Sequence, residues 1–198
     1  MTRVFLLSPA RADGVRMGYL LRPAAAFPLA RQVQEGGAPL GEAFAFASGL
    51  YFRGKLAYAR AFARPPRGTP GALVIAPGRG LVDAEEKVTA ADLRALGKVA
   101  IDTRDDRYRG PLERDARALA ALGGEVVLLG SVASGKYADI LIAIFRERLL
   151  FPVDFVGRGD MSRGGLLLRA VRAGTELAYA PLLGAVRHGA RPPRLPRE

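Results

Sequence analysis

From Ala72 onward the chain alternates between short apolar runs and stretches of helical pattern. The runs are Ala72–Ala76, Val99–Ile101, Glu125–Leu129 and Leu149–Phe151. Helical patterns follow them in turn at Thr89–Leu96, Pro111–Leu122, Tyr137–Arg148 and Met161–Arg172. Strand, helix, strand in this order closes as crossover units, with the strands parallel in one sheet and the helices packed on it. Val4–Leu7, ended by Ser8-Pro9, adds a strand ahead of this block. The expected fold class is therefore α/β, with a mainly parallel central sheet and flanking helices.

The first third of the chain has a different rhythm. Residues 10–38 carry two or three short helical pieces broken by Gly14, Pro23, Pro28, Gly36-Gly37 and Pro39. Leu40 to Ala63 reads as one long helix. Phe44, Tyr51, Tyr58 and Phe62 share one face at about 100° per residue, with Arg53, Arg60 and Arg64 opposite. Gly49 and Gly54 weaken it by about 1 kcal/mol each relative to alanine, and mark a break or a close contact. These pieces make a helical annex over about residues 12–64, joined to the rest through the loop Pro65–Gly71. Residues 1–186 are expected to form one α/β domain, and 187–198 a basic, proline-rich tail, extended or disordered. Thr89 is placed to cap the helix after it, with Asp92 at the capping-box position. Pro111 is expected in the first turn of its helix, and Gly174 just past the end of the last one.

Composition narrows the chemistry. The chain has no cysteine and one histidine, His188. Thiolate chemistry and histidine-rich metal sites are excluded. No stretch approaches the roughly 18 apolar residues of a membrane span, and Val4–Leu7 is too short for a signal peptide, so a cytoplasmic protein without membrane contact is expected. Thirty basic residues against nineteen acidic ones leave a net charge of +11. Only Lys55, Lys87, Lys98 and Lys136 are lysines, and arginine suits bidentate phosphate contact. The expected partner is a nucleic acid, DNA before RNA. No cofactor and no metal are expected. Asp102, Asp105 and Asp106 are interleaved with Arg104, Arg107 and Arg109 and read as a self-compensating surface loop.

In parallel α/β sheets, ligands sit beyond the carboxyl ends of the strands. Four loops leave such ends: 8–11, 77–81, 130–137 and 157–164. All are rich in Gly, Ser or Arg, which lets backbone N–H groups approach an anion. Arg11, Arg79, Lys136, Arg158 and Arg163 are the candidate phosphate contacts. Ser8, Ser131, Ser134, Tyr137 and Ser162 are the candidate hydrogen-bond partners of phosphate or base. The third loop fits G-x-x-x-x-G-K, but Tyr137 stands where a phosphate loop needs Ser or Thr on magnesium. In the fourth loop Asp160 or Ser162 is placed to cap the following helix.

Taken in order, these four elements resemble the YaaA peroxide-stress-resistance family and related small bacterial α/β domains. The resemblance rests on Leu6-Leu7-Ser8-Pro9-Ala10-Arg11, Leu73–Leu81, Val126–Tyr137 and Phe155–Arg163. Arg11 stands where the family has lysine. The resemblance implies a compact α/β fold with a helical annex, DNA binding and protection against oxidative damage. Two other readings stay open. One is an N-glycosidase-like enzyme on nucleosides or nucleic acid, with Asp160 as the acid, or Asp102 after it. The other is a non-catalytic protein-interaction module using the basic helix face and the Pro-Arg tail.

Overall fold

The computed structural model describes residues 1–133 and 135–193. Among them the strands are β1 (Arg3–Leu7), β2 (Ala38–Pro39), β3 (Ala72–Ala76), β4 (Gly80–Asp83), β5 (Lys87–Val88), β6 (Glu125–Leu129), β7 (Leu149–Pro152) and β8 (Tyr179–Pro181). Helices α1 (Val15–Leu20), α2 (Pro28–Glu35), α3 (Leu40–Ser48) and α4 (Leu50–Phe62) form the annex. Then follow α5 (Ala90–Gly97), α6 (Asp106–Ala121), α7 (Gly135–Phe145) and α8 (Asp160–Ala173). No helix among the described residues is long and apolar enough to cross a membrane.

Six strands form one mixed, mostly parallel sheet in the order β4-β3-β1-β6-β7-β8. β3, β1, β6 and β7 run parallel, and the edge strands β4 and β8 run antiparallel to their neighbours. The α/β architecture is as the alternation of runs implies. β1 pairs with β3 on one side and with β6 on the other, in register Phe5↔Ala72 and Phe5↔Val127. The chain passes from β1 to β3, then crosses back over β1 to reach β6. The strand order thus reverses at β1, and the loops leaving β1 and β6 open a crevice there.

The pleat of β1 divides the core. Phe5 and Leu7 point into the cluster formed with the annex helices and α8. Val4 and Leu6 point into the cluster formed with α6 and α7. All four are buried, as strands covered on both faces must be.

Several local expectations need correction. The stretch Leu40–Ala63 is two helices, α3 and α4, and Gly49 between them adopts φ 63° and ψ −133°. That backbone is open to glycine and strained for other residues, so the helix breaks there. Val99–Ile101 is not a strand. The sheet edge it would have joined is taken by β4, which folds back on β3 as a hairpin, and Val99 and Ile101 pack against the second core cluster as half-buried side chains. α6 starts at Asp106, five residues before Pro111, because the Asp105 carboxylate caps it by accepting from the Arg107 N–H at 3.0 Å. The Thr89–Asp92 capping box forms as expected, and α8 ends at Gly174 in the left-handed conformation. Residues 187–193 have neither helix nor strand, but they are held: Arg187 pairs with Asp139 at 2.7 Å, and the Pro193 carbonyl accepts from Arg158 at 3.3 Å. Residues 194–198 lie outside the described residues.

The tightest approach of the annex to the sheet domain is between two helices. α4 and α8 cross with their backbones touching at Gly54 and Gly164. A methyl on Gly54 would stand 2.8 Å from the Gly164 carbonyl oxygen, and one on Gly164 would stand 2.8 Å from the Leu50 carbonyl oxygen and Tyr51 Cα. Both obstacles are backbone and cannot turn aside. We expect Gly164→Ala to lose more by overpacking, about 1–3 kcal/mol, than the roughly 1 kcal/mol it gains in helix propensity. The melting temperature should drop by about 2–6 °C. A melting temperature at or above that of the parent chain would show that the crossing is not tight.

A candidate anion-binding cleft at the strand switch point

A cleft of about 550 Å³ opens at the carboxyl ends of β1 and β6, between the sheet and the annex. Ser8 and Ser131 enter it from the strand ends, Lys136 and Tyr137 from the start of α7, and Asp160 from the start of α8. Arg11 and Arg16 close it from the loop after β1 and from α1, and α4 lines it with Tyr51 and Lys55.

Its floor is a hydrogen-bonded set around Ser8. The Lys55 amine donates to the Ser8 carbonyl oxygen at 2.6 Å and to Ser8 Oγ at 2.9 Å. The Tyr137 hydroxyl lies beside Ser8; burial pushes its pKa up, and Ser8 and the Ser131 backbone act against that push. Gly130 makes room for this set, since a methyl there would stand 2.8 Å from Ser8 Cβ and 2.9 Å from the Tyr137 oxygen. Tyr137, at the position where a phosphate loop holds its magnesium ligand, is buried with its hydroxyl beside Ser8.

Lys55 is 1% exposed, and no carboxylate among the described residues pairs with it. Its amine lies 4.6 Å from the Tyr51 ring centre and 4.5 Å from that of Phe52. Burial pulls its pKa down to about 7; the field of Asp160 acts upward and that of Arg163 downward. Tyr51 beside it is pushed up from the ordinary phenol value, chiefly by burial. Its hydroxyl lies in the field of Arg163 but closes no hydrogen bond.

The candidate residues read from the sequence separate into three groups. Ser8, Arg11, Ser131, Lys136, Tyr137 and Asp160 share the cleft. Arg79, Arg158, Ser162 and Arg163 do not line it. Arg79 is ion-paired with Glu86, because the hairpin that carries it turns away toward the loop before β5. Arg163 is buried: its Nε and Nη2 donate to the Phe155 carbonyl at 3.2 and 3.1 Å, and its Nη1 lies 3.5 Å from Asp160. It ties the turn before α8 to the helix. Arg158 donates to Ser162 Oγ at 3.2 Å, which also occupies the serine. Neither Asp160 nor Ser162 caps α8; Gly159 is the cap residue, and no side chain bonds the helix end. Ser134 lies outside the described residues. Asp102 pairs with Arg104 at 2.7 Å and Asp105 with Arg107 at 2.6 Å, so that loop compensates its own charge.

The sequence reading missed Lys55, Tyr51 and Arg16 as cleft residues. Lys55 did leave a signal: it lies one helical turn after Tyr51, on the aromatic face rather than the arginine face.

Comparison with protein families, curated proteins and solved structures gives no match for this chain.

The buried amine has a consequence for stability. Folded, Lys55 gives up its proton above about pH 7, while in the unfolded chain it keeps it up to the ordinary 10.5. The unfolded state binds more protons in that interval, so stability rises with pH across it. Buried tyrosines with raised pKa oppose this only above pH 10 or so. Relative to Lys55→Met, the parent chain should gain about 1.4 kcal/mol per pH unit between pH 7 and 10, about 4 kcal/mol in all. Urea unfolding of both proteins at pH 6, 8 and 10 measures it. A difference independent of pH would mean that the amine is not buried in the charged or neutral form described.

Proposed function

We propose that the chain binds nucleic acid, DNA in first place, by holding backbone phosphate in the cleft at the carboxyl ends of β1 and β6. One observation carries this reading: Arg11, Arg16 and Lys136 surround a cleft to which Asp160 is the one acidic contributor among its lining residues. Arg16 and Lys136 form no ion pair among the described residues. Arg11 pairs only with Asp13 at 3.3 Å, and its side chain is 82% exposed, so that pair is weak and readily exchanged for a phosphate. Ser8, Ser131 and the unpartnered Tyr51 hydroxyl add hydrogen-bonding groups below the cations. A dianionic or monoanionic oxygen group fits this chemistry, and a neutral ligand leaves the cations unused.

The four strand-end motifs that resemble the YaaA family support the same reading, and a role in peroxide stress rests on that resemblance alone. Asp160 as the catalytic acid of an N-glycosidase has weaker support, since its side chain is 69% exposed and lies beside Arg163.

Fluorescence anisotropy with labelled duplex and single-stranded oligonucleotides tests the reading. Binding should weaken steeply with salt, with a log–log slope of about −0.9 per phosphate neutralised on duplex and about −0.7 on single strands. Arg16→Ala with Lys136→Ala should cost about tenfold or more in affinity and flatten the slope by about 1–2. Arg79→Ala, which lies off the cleft, should change neither. No binding at about 50 mM salt, or equal losses from the cleft pair and from Arg79, would refute it.

A further inference from the structure

The phosphate-binding reading uses the rim of the cleft and leaves its floor unexplained. A lysine placed only to attract anions belongs in water, where its charge is retained and mobile. Lys55 instead sits fully buried on α4, against the rings of Tyr51 and Phe52, with its amine on the hydroxyl of a serine that faces the cleft. No carboxylate among the described residues forms an ion pair with it. Burying an amine without such a partner is costly unless the neutral form is the useful one.

We propose that Ser8 is a nucleophile with Lys55 as its general base, and that the pair acts on a phosphodiester held in the cleft. The assignment of the pair rests on its own geometry, and the substrate class rests on the phosphate-binding reading above.

The geometry has the parts such chemistry requires. The nucleophile and its base are in hydrogen-bond contact, at 2.9 Å. The base is oriented by a second bond, its donation to the Ser8 carbonyl at 2.6 Å. A neutral amine with one N–H on that carbonyl keeps its lone pair for the Oγ proton. The hydroxyl proton reaches the amine by rotation about the Cβ–Oγ bond. The charged and titratable groups near the amine come from four elements. Tyr51 is on its own helix, Asp160 and Arg163 are on α8, Tyr137 is on α7, and Ser8 is at the end of β1. Burial outweighs the attraction of Asp160, so the amine loses its proton near pH 7. The Tyr51 hydroxyl, buried and without a partner, lines the same cleft and can donate to a phosphoryl oxygen.

The step balances. Ser8 Oγ bonds to phosphorus as its proton passes to the Lys55 amine. The bond from phosphorus to the leaving alcohol oxygen breaks, and Lys55 returns the proton to that oxygen. Water then attacks the phosphorus of the seryl phosphodiester so formed. Its oxygen bonds to phosphorus, the phosphorus–Oγ bond breaks, and the proton taken from water returns through Lys55 to Ser8. One phosphodiester and one water give one alcohol and one phosphomonoester, with no oxidant, reductant or metal in the balance.

The test is labelling of the intact chain by a fluorophosphonate probe, in which Oγ bonds to phosphorus and fluoride leaves. Peptide mass spectrometry locates the adduct. We expect one adduct, on Ser8, forming at a rate that rises with pH through about 7 and that an oligonucleotide slows by competition. Ser8→Ala should give none. Lys55→Met and Lys55→Arg should each slow labelling by about 100-fold or more. The arginine variant can keep a bond to the Ser8 carbonyl and cannot act as a base near neutrality, so its loss separates base from strut. Circular dichroism checks that each variant is folded, and the pH profile of the parent chain carries the test if one is not. A folded parent chain that binds oligonucleotide but takes no label, or takes it on another serine, overturns the pair and leaves the binding reading intact. A Lys55→Arg variant labelled at the parent rate also overturns it. Labelling of Ser8 that no oligonucleotide slows, in a chain that binds none, overturns the phosphodiester as substrate.

Discussion

The bond between the Lys55 amine and Ser8 holds the molecule's two parts in one arrangement. Ser8 terminates the central strand β1, and Lys55 belongs to the annex. An amine buried at this depth has lost its water, and its hydrogen-bond acceptors are the two oxygens of one residue. Displacing the annex by an ångström would leave that amine with neither water nor oxygen, which is far more costly than the loss of an ordinary contact. The crossing of α4 with α8 at Gly54 and Gly164 lets the two backbones touch one residue before Lys55. The cleft is therefore a product of the annex and the sheet together, and neither part contains it alone.

Charge explains less than its total suggests. Much of the excess of arginine is used inside the molecule. Arg3 pairs with Glu125 and Glu176, Arg60 with Glu42 and Glu85, and Arg64 with Glu176. Arg104, Arg107, Arg109 and Arg114 each have a carboxylate on their own segment. Exposed pairs of this kind contribute little to stability, but they cancel the local field, and so a net +11 spread over the surface would select nothing. Arg16 and Lys136, which form no ion pair among the described residues, sit with Arg11 at the cleft where the strand order reverses.

The parts of the fold that rest on periodicity were legible in the sequence. Apolar runs at Ala72–Ala76, Glu125–Leu129 and Leu149–Phe151 are strands because both faces of each are covered, and the capping box at Thr89 and Asp92 starts its helix as written. Short edge strands were not legible. Gly80–Asp83 and Tyr179–Pro181 have no pattern of their own and exist because a neighbour offers unpaired N–H and carbonyl groups. Val99–Ile101 shows the converse, an apolar run with no free edge to join. The site was half legible. Loops at strand ends identified Ser8, Ser131, Lys136, Tyr137 and Asp160 as neighbours. The same rule failed for Arg79, whose loop is a hairpin turn, and for Arg163, whose guanidinium is used to hold the turn before its own helix.

Lys55 shows why residue type was a poor guide to role here. Read by charge, it joins the basic residues of a surface helix. Read by helical position, it lies one turn from Tyr51 on the face that packs inward, where an amine must either find a carboxylate or lose its charge. The described residues offer no carboxylate in contact, and Asp160 acts on it only through its field. Asp160, the acid most visible in the sequence, is by contrast solvated and beside an arginine. Of the two groups, the buried lysine is the one whose surroundings suit it to move a proton near pH 7, and the one whose proton lies against a serine oxygen. The cations of the rim and the amine of the floor are then different instruments: the first hold an anion because they keep their charge, and the second is placed to act because it does not.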